Sequence, residues 1–165
     1  MKITFSLADQ ADAPTLAALH TAAAGDLTRR HGSGFWSSVT TGRGVLARMR
    51  HSRVLVARRA GSIVGTLHLQ TKKPWAIDVS YFTPVKKSIY LTGMAVEPRL
   101  QRQGIGKLLL NEAAKHVREW PADAIRLDAY DHAIGAGGFY AKCGFREPGH
   151  ATYRNNPLIY FEMVL

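Results

Sequence analysis

The chain opens with alternating character. Ile3, Phe5 and Leu7 fall on one side of the stretch Lys2 to Ala8, the period of a strand. Asp9 or Asp12 can cap a helix behind it, and Pro14 suits that helix's first turn. Leu16, Leu19, His20 and Ala23 share one face, which predicts a helix to about Ala24. Between Gly25 and Gly44 the pattern breaks, and Gly32, Gly34 and Gly42 point to loop or short helical pieces, with a helical turn over Val45 to Arg50. Arg53 to Arg59 and Ile63 to Gln70 read as two strands of a hairpin joined at Ala60-Gly61-Ser62. Lys72 to Lys87 is a long connection carrying Trp75, Asp78, Tyr81, Phe82 and two prolines, and a loop of that length in a small domain is often functional.

The second half is as regular. Ser88 to Val96 reads as a strand and Pro98 to Gly104 as a turn. Gly106 to about Trp120 reads as a helix that buries Leu109, Leu110, Ala113, Ala114 and Val117 and stops at Pro121. Ala124 to Tyr130 is a further strand, Gly135 to Cys143 a short helix, Gly144-Phe145 a return to extended chain, and Leu158 to Leu165 the closing strand. No repeat, low-complexity tract or linker interrupts the order, so one mixed α and β domain over residues 1–165 is expected.

Composition narrows the picture. The chain has 165 residues, 46% hydrophobic and 21% charged, ordinary globular proportions. No apolar run approaches the ~20 residues of a membrane span, and the early Asp9, Gln10 and Asp12 do not suit a signal peptide. The single cysteine, Cys143, excludes an internal disulfide framework and a cysteine-rich zinc site. A cytoplasmic protein without a membrane partner or a metal is expected. The net charge is +10, and it is regional: Leu27 to Ile77 holds 10 Lys/Arg and no acid. This fits an anionic partner or substrate, or a solvated basic face.

The richest stretch runs from Tyr90 to Leu110. A strand enters a loop whose Gly104 and Gly106 open a helix. Unpaired N–H groups at such a helix start, with the helix dipole, form an anion site, and Arg102 and Lys107 add charge. A Walker loop would need Gly at Gln101 and Ser/Thr at Leu108, and a dinucleotide fingerprint would need Gly at Leu109.

Gln101-Arg-Gln-Gly104-Ile-Gly106 resembles the Q/R-x-x-G-x-G/A motif of the GNAT superfamily of acetyl-CoA-dependent N-acyltransferases. Met94-Ala-Val-Glu-Pro98 is similar to that family's central strand, and Gly138-Phe139-Tyr140-Ala-Lys142-Cys-Gly144-Phe145 to its C-terminal signature. The resemblance implies a mostly antiparallel mixed sheet, splayed at its central strand and flanked by helices. It implies acetyl-CoA as co-substrate, with the pyrophosphate on the backbone of Gln101, Arg102, Gln103, Gly104, Ile105, Gly106 and Lys107. It implies a pantetheine arm lying along Met94, Ala95 and Val96, and Tyr140 as general acid toward the leaving sulfur. Many members carry Asn seven residues before that tyrosine, where this chain has Ala133.

The base that deprotonates the acceptor amine stays open among Asp78, His68, Tyr90 and Glu97. Asp78 is the acid placed among aromatics. Trp75, Tyr81, Phe82 and Tyr90, with Arg29, Arg30, His31, Phe35 and Trp36, are candidates for the acceptor wall. Cys143, with no His paired nearby in sequence, reads as structural rather than nucleophilic. The function expected is direct acetyl transfer to an amine of a small molecule or peptide. A non-catalytic acyl-CoA sensor is the alternative. Nucleic-acid binding is disfavoured, for want of a recognised motif, and a homodimer is compatible with the resemblance.

Overall fold

The structure, a computed structural model, describes residues 2–165. Its strands are β1 (Ile3–Leu7), β2 (Arg53–Arg59), β3 (Ser62–Gln70), β4 (Ser88–Val96), β5 (Ala124–Tyr130), β6 (Arg146–Tyr153) and β7 (Asn156–Val164). Its α-helices are α1 (Ala13–His31), α2 (Gly42–Met49), α3 (Ile105–Glu119) and α4 (Gly137–Lys142). The sheet order is β1-β2-β3-β4-β5-β7-β6. β4 and β5 run parallel over three pairs, Ser88↔Ala124 to Tyr90↔Arg126, and the β1–β2, β2–β3, β5–β7 and β6–β7 ladders are antiparallel. The expected mixed, mostly antiparallel sheet is therefore present.

One expectation needs correction. The first helix does not stop near Ala24 but continues to His31. Gly25 weakens it by about 1 kcal/mol relative to Ala, yet Arg29 and Arg30, one turn further on, both hold the Asp26 carboxylate. The helix ends where Gly32, at φ +82°, donates its N–H to the Thr28 carbonyl. The closing strand is also longer than expected. β6 and β7 form a hairpin whose turn, Arg154-Asn155, has positive φ at both residues, as does Ala60-Gly61 between β2 and β3.

The chain divides into two compact units, Met1–Leu69 with Thr92–Glu112, and Gln70–Leu91 with Ala113–Leu165. In the first, β2 is apolar and buried from Val54 to Ala57, because both of its faces are covered there. Val54 and Val56 pack with Ala13, Leu16 and Ala17 of α1 and Val45 of α2. The opposite face receives α3: a Cβ at Gly65 of β3 would lie 2.8 Å from Leu109 and 3.2 Å from Ile105.

In the second unit, Ile77, Phe82, Tyr90 and Tyr160 form one cluster. Beside it lies a buried polar knot. Glu162 accepts from Arg126 Nε at 3.0 Å, from Arg146 at 2.8 Å and from the Thr83 N–H at 3.1 Å. Arg126 also donates to the Thr83 carbonyl at 2.6 Å and lies 4.9 Å from the centre of the Phe82 ring. Loop 72–87 is thus fixed to β5, β6 and β7 at its C-terminal end.

Burial alone would raise the Glu162 pKa. The bonds from Thr83, Arg146 and Arg126 outweigh it, and the net value lies below the ordinary one. A depressed carboxylate stabilises the fold above its unfolded pKa, near ~4.3, and loses that contribution as pH falls through the folded value. Glu162→Gln leaves Arg126 buried without its counter-charge. It should cost about 3 kcal/mol or more at pH 7, with the deficit shrinking below about pH 4. Urea unfolding across pH measures both.

Candidate active site

The glycine turn sits at the start of α3 in the first unit. Gly104 has φ +84°, with no atom within 4 Å of the place its Cβ would take, so conformation rather than crowding requires glycine there. Arg102 is also left-handed, at φ +62°. Gln101 to Gly104 and Lys107 are exposed, while Ile105 turns inward to anchor the helix. The first-turn amides have no acceptor inside the helix and face the turn. The side chains of Gln101 and Gln103 close the loop from within, on the carbonyls of Val96 at 3.3 Å and Arg99 at 3.4 Å. An open helix start, two cations and a backbone free of Cβ crowding at Gly104 can hold a pyrophosphate.

Met94 and Val96 of β4 are half-buried around buried Ala95. Two residues earlier, Gly93 takes φ +55° inside the strand. His68, on β3, is buried. Its ring lies edge-on to that of His20 of α1, with centroids 5.6 Å apart.

Tyr140 belongs to the second unit. It sits on α4, buried between Phe145 (5.7 Å) and Phe161 (5.6 Å). Burial first, then the charges of Asp128 and Cys143, push its phenol well above the ordinary range, so it keeps its proton at any physiological pH. Cys143 ends α4, and its N–H reaches the carbonyls of Phe139 and Tyr140. Asp128 lies on β5 opposite Tyr160. Burial raises its pKa, and its charge opposes ionisation of Tyr130, Tyr140 and Tyr160.

The residues of loop 72–87 divide. Trp75 is 81% exposed and Tyr81 42%, whereas Phe82 and Tyr90 are core residues. Asp78 is exposed and opens a single-turn helix over Val79–Tyr81, accepting from both the hydroxyl and the N–H of Ser80. Those bonds, the hydroxyl's first, hold its pKa below the ordinary value. Tyr160 pins the loop: its hydroxyl donates to the Ala76 carbonyl at 2.5 Å and accepts from the Asp78 N–H at 3.1 Å.

Comparison with known proteins decides the family. A model of the acetyltransferase (GNAT) family matches residues 19–145. The chain belongs to that family. Membership makes the protein an acyltransferase. No curated protein matches it by sequence. Among solved structures, the PaiA N-acetyltransferase of Thermoplasma acidophilum, in complex with coenzyme A, aligns with a TM-score of 0.77 at 17% identity over 100% of each chain. A GCN5-related N-acetyltransferase of Rhodopseudomonas palustris aligns at 0.74 and 20%, over 100% of this chain and 97% of that one. The ribosomal-protein-alanine N-acetyltransferase of Brucella melitensis aligns at 0.73 and 21%, over 98% and 99%. At these identities the structures speak for the fold.

Two features of the acetyltransferase were missed in its sequence. Asp128 stands out only as an acid in the mostly apolar run Ala124 to Tyr130, two residues after Arg126, whose partner Glu162 is far along the chain. The tie between Tyr160 and loop 72–87 leaves no local signal. Removing that tie has a defined consequence. Tyr160→Phe strands a carbonyl and an amide, costing about 1–3 kcal/mol. Hydrogen exchange of the acetyltransferase should rise over residues 76–82 while that of α1 and α2 stays unchanged.

Proposed function

We propose that residues 1–165 work as one N-acetyltransferase domain, moving acetyl from acetyl-CoA to an amine of a small molecule or peptide by direct transfer. The observation that carries this reading is the exposed, left-handed Gly104 turn opening α3. Backbone amides from Gln101 to Lys107, with the Arg102 and Lys107 side chains, would hold the pyrophosphate, and Met94 to Val96 the pantetheine arm. Acetyl-CoA supplies the acyl group already activated as a thioester. A cytoplasmic location belongs to the same proposal, since the one cysteine is free and suits a reducing compartment.

Two groups of the second unit take the proton steps. An attacking ammonium must first lose a proton, and a carboxylate with a raised pKa is a better acceptor than an ordinary one. Asp128 therefore replaces Asp78 as the base: Asp78 is spent on Ser80, and its depressed pKa makes it a weaker base. When the carbon–sulfur bond breaks, the phenol of Tyr140 gives its proton to the leaving sulfur. Its burial guarantees that the proton is present. Trp75 and Tyr81 are the exposed aromatics available to an acceptor.

Thermal unfolding with acetyl-CoA tests the turn. At 100 times its Kd the ligand should add ~2.7 kcal/mol of stability. Gly104→Glu, which puts a side chain and a negative charge at a left-handed position, should abolish the shift. No shift in the wild type sinks the reading.

The proton roles are read from kinetics. Tyr140→Phe should keep the acetyl-CoA shift and lower kcat by roughly 10²–10⁴-fold. The acid limb of the kcat/KM profile should have its midpoint above the ordinary aspartate value of ~3.9 and vanish in Asp128→Asn. A non-catalytic sensor would show the melting shift and no turnover in the wild type.

A further inference from the structure

Three groups in the first unit remain unused by the chemistry above. His68, on β3, is 1% exposed, and neither ring nitrogen has a partner among the described residues. His20, on α1, is half-buried, and its Nε2 is likewise buried without a partner. An unsatisfied buried polar group costs about 1–3 kcal/mol, so two adjacent imidazoles in that state call for an explanation. The third is Arg48 of α2, which forms no ion pair among the described residues and lies inside the acid-free stretch from Leu27 to Ile77. Two of the three meet above one backbone point, and His20 lies edge-on to His68. A Cβ placed on Gly93 would lie 3.2 Å from His68 Cδ2 and 3.3 Å from Arg48 Nη1.

The chemistry of this trio is that of an anion receptor. A neutral imidazole offers one N–H, and a guanidinium offers a planar fork that matches a carboxylate. Asp12 and Asp26, the acids on either side of His20 in the sequence, are committed elsewhere, Asp26 to Arg29 and Arg30 and Asp12 to Arg58. We propose that His20, His68 and Arg48, the last two lying over Gly93 of β4, form a receptor for a carboxylate carried by the acceptor amine. The acceptor is then an amino acid, or another amine bearing a carboxylate. This part rests on the acetyltransferase reading; carboxylate binding at the trio does not.

The receptor couples to protons. The titratable or charged groups that face His68 are His20 from α1 and Arg48 from α2. Burial, then those two charges, hold His68 down at about 3, and burial followed by Arg48 lowers His20. A bound carboxylate offsets the Arg48 charge and favours the imidazolium. Binding therefore takes up protons and tightens as pH falls.

The first test uses the apo protein and succinate, a carboxylate without an amine. Ring ¹⁵N signals of His20 and His68 should move toward imidazolium positions on titration. Putrescine, an amine without a carboxylate, should leave them in place. Arg48→Gln, at an exposed side chain, should weaken succinate by about tenfold or more while keeping the wild-type unfolding midpoint. Ring signals unmoved up to about 50 mM succinate, far above a millimolar Kd, overturn the receptor, as does unchanged affinity in Arg48→Gln. The second test compares acetyl transfer to 4-aminobutyrate and to its methyl ester. A KM raised by esterification in the wild type and not in Arg48→Gln supports the acceptor assignment. Equal KM values for the two amines overturn it and leave the trio to a separate carboxylate ligand. Failure of the acetyl-CoA melting shift removes the acetyltransferase reading without touching the succinate result.

Discussion

At Gly93 the backbone of β4 takes φ +55°, which costs an L-residue roughly 1–2 kcal/mol. A side chain there would also press on His68 and Arg48. Much in the first unit follows from this one residue. The strand can bend without losing Ala95 from the core, and the Glu97 N–H still reaches the Val64 carbonyl at 2.9 Å. The chain then enters the turn through Pro98–Leu100 and starts α3 at Ile105. The positive φ at Gly104 repeats the device at the other end of the segment. Two glycines with different reasons, crowding plus conformation at the first and conformation alone at the second, bracket the stretch that carries the family motif.

Burial acts on Glu162, Asp128 and His68 alike, and its outcome depends on the neighbours. Glu162 and Asp128 are both acids withdrawn from water. Glu162 receives two arginines and a backbone amide, so it stays charged and structural. Asp128 has tyrosines around it and only its own backbone N–H against burial, so its proton affinity rises. His68 is the basic counterpart: burial and a nearby cation hold it neutral. The same desolvation yields a clamp, a candidate base and a candidate receptor, because the compensating partner is present, absent, or reserved for a ligand.

The legible parts of the fold were those with a local period. β1, the β2–β3 hairpin and α3 follow from spacing alone, and the turn at Gly104 from a motif of six residues. The end of α1 was not legible, because Gly25 argues against helix locally while the ion pairs of Asp26 and the cap at Gly32 act a turn or more later. β6 was reduced to a restart at Gly144-Phe145, because Arg146 to Tyr153 contains Pro148 and Gly149 and alternates poorly. What keeps it a strand is its ladder with β7. The polar groups of the site were harder still. Arg126 and Glu162 are 36 residues apart, and His20 and His68 are 48 apart. No one-dimensional pattern announces such pairs.

The regional charge shows why a count needs geometry. Ten cations between Leu27 and Ile77 suggest one basic surface. In the fold four of them are engaged at separate places. Arg29 and Arg30 extend α1 by holding Asp26, and Arg58 grips both oxygens of Asp12 at 2.8 and 2.7 Å. Lys73 closes its own loop on the carbonyls of Pro74 and Ile77. A solvated face would leave such charges equivalent. Arg48 differs from its neighbours because it meets a buried histidine over a glycine. The useful reading of the excess is therefore the one cation set beside buried imidazoles rather than the count of ten, since complementary groups held in place, more than total charge, give specificity.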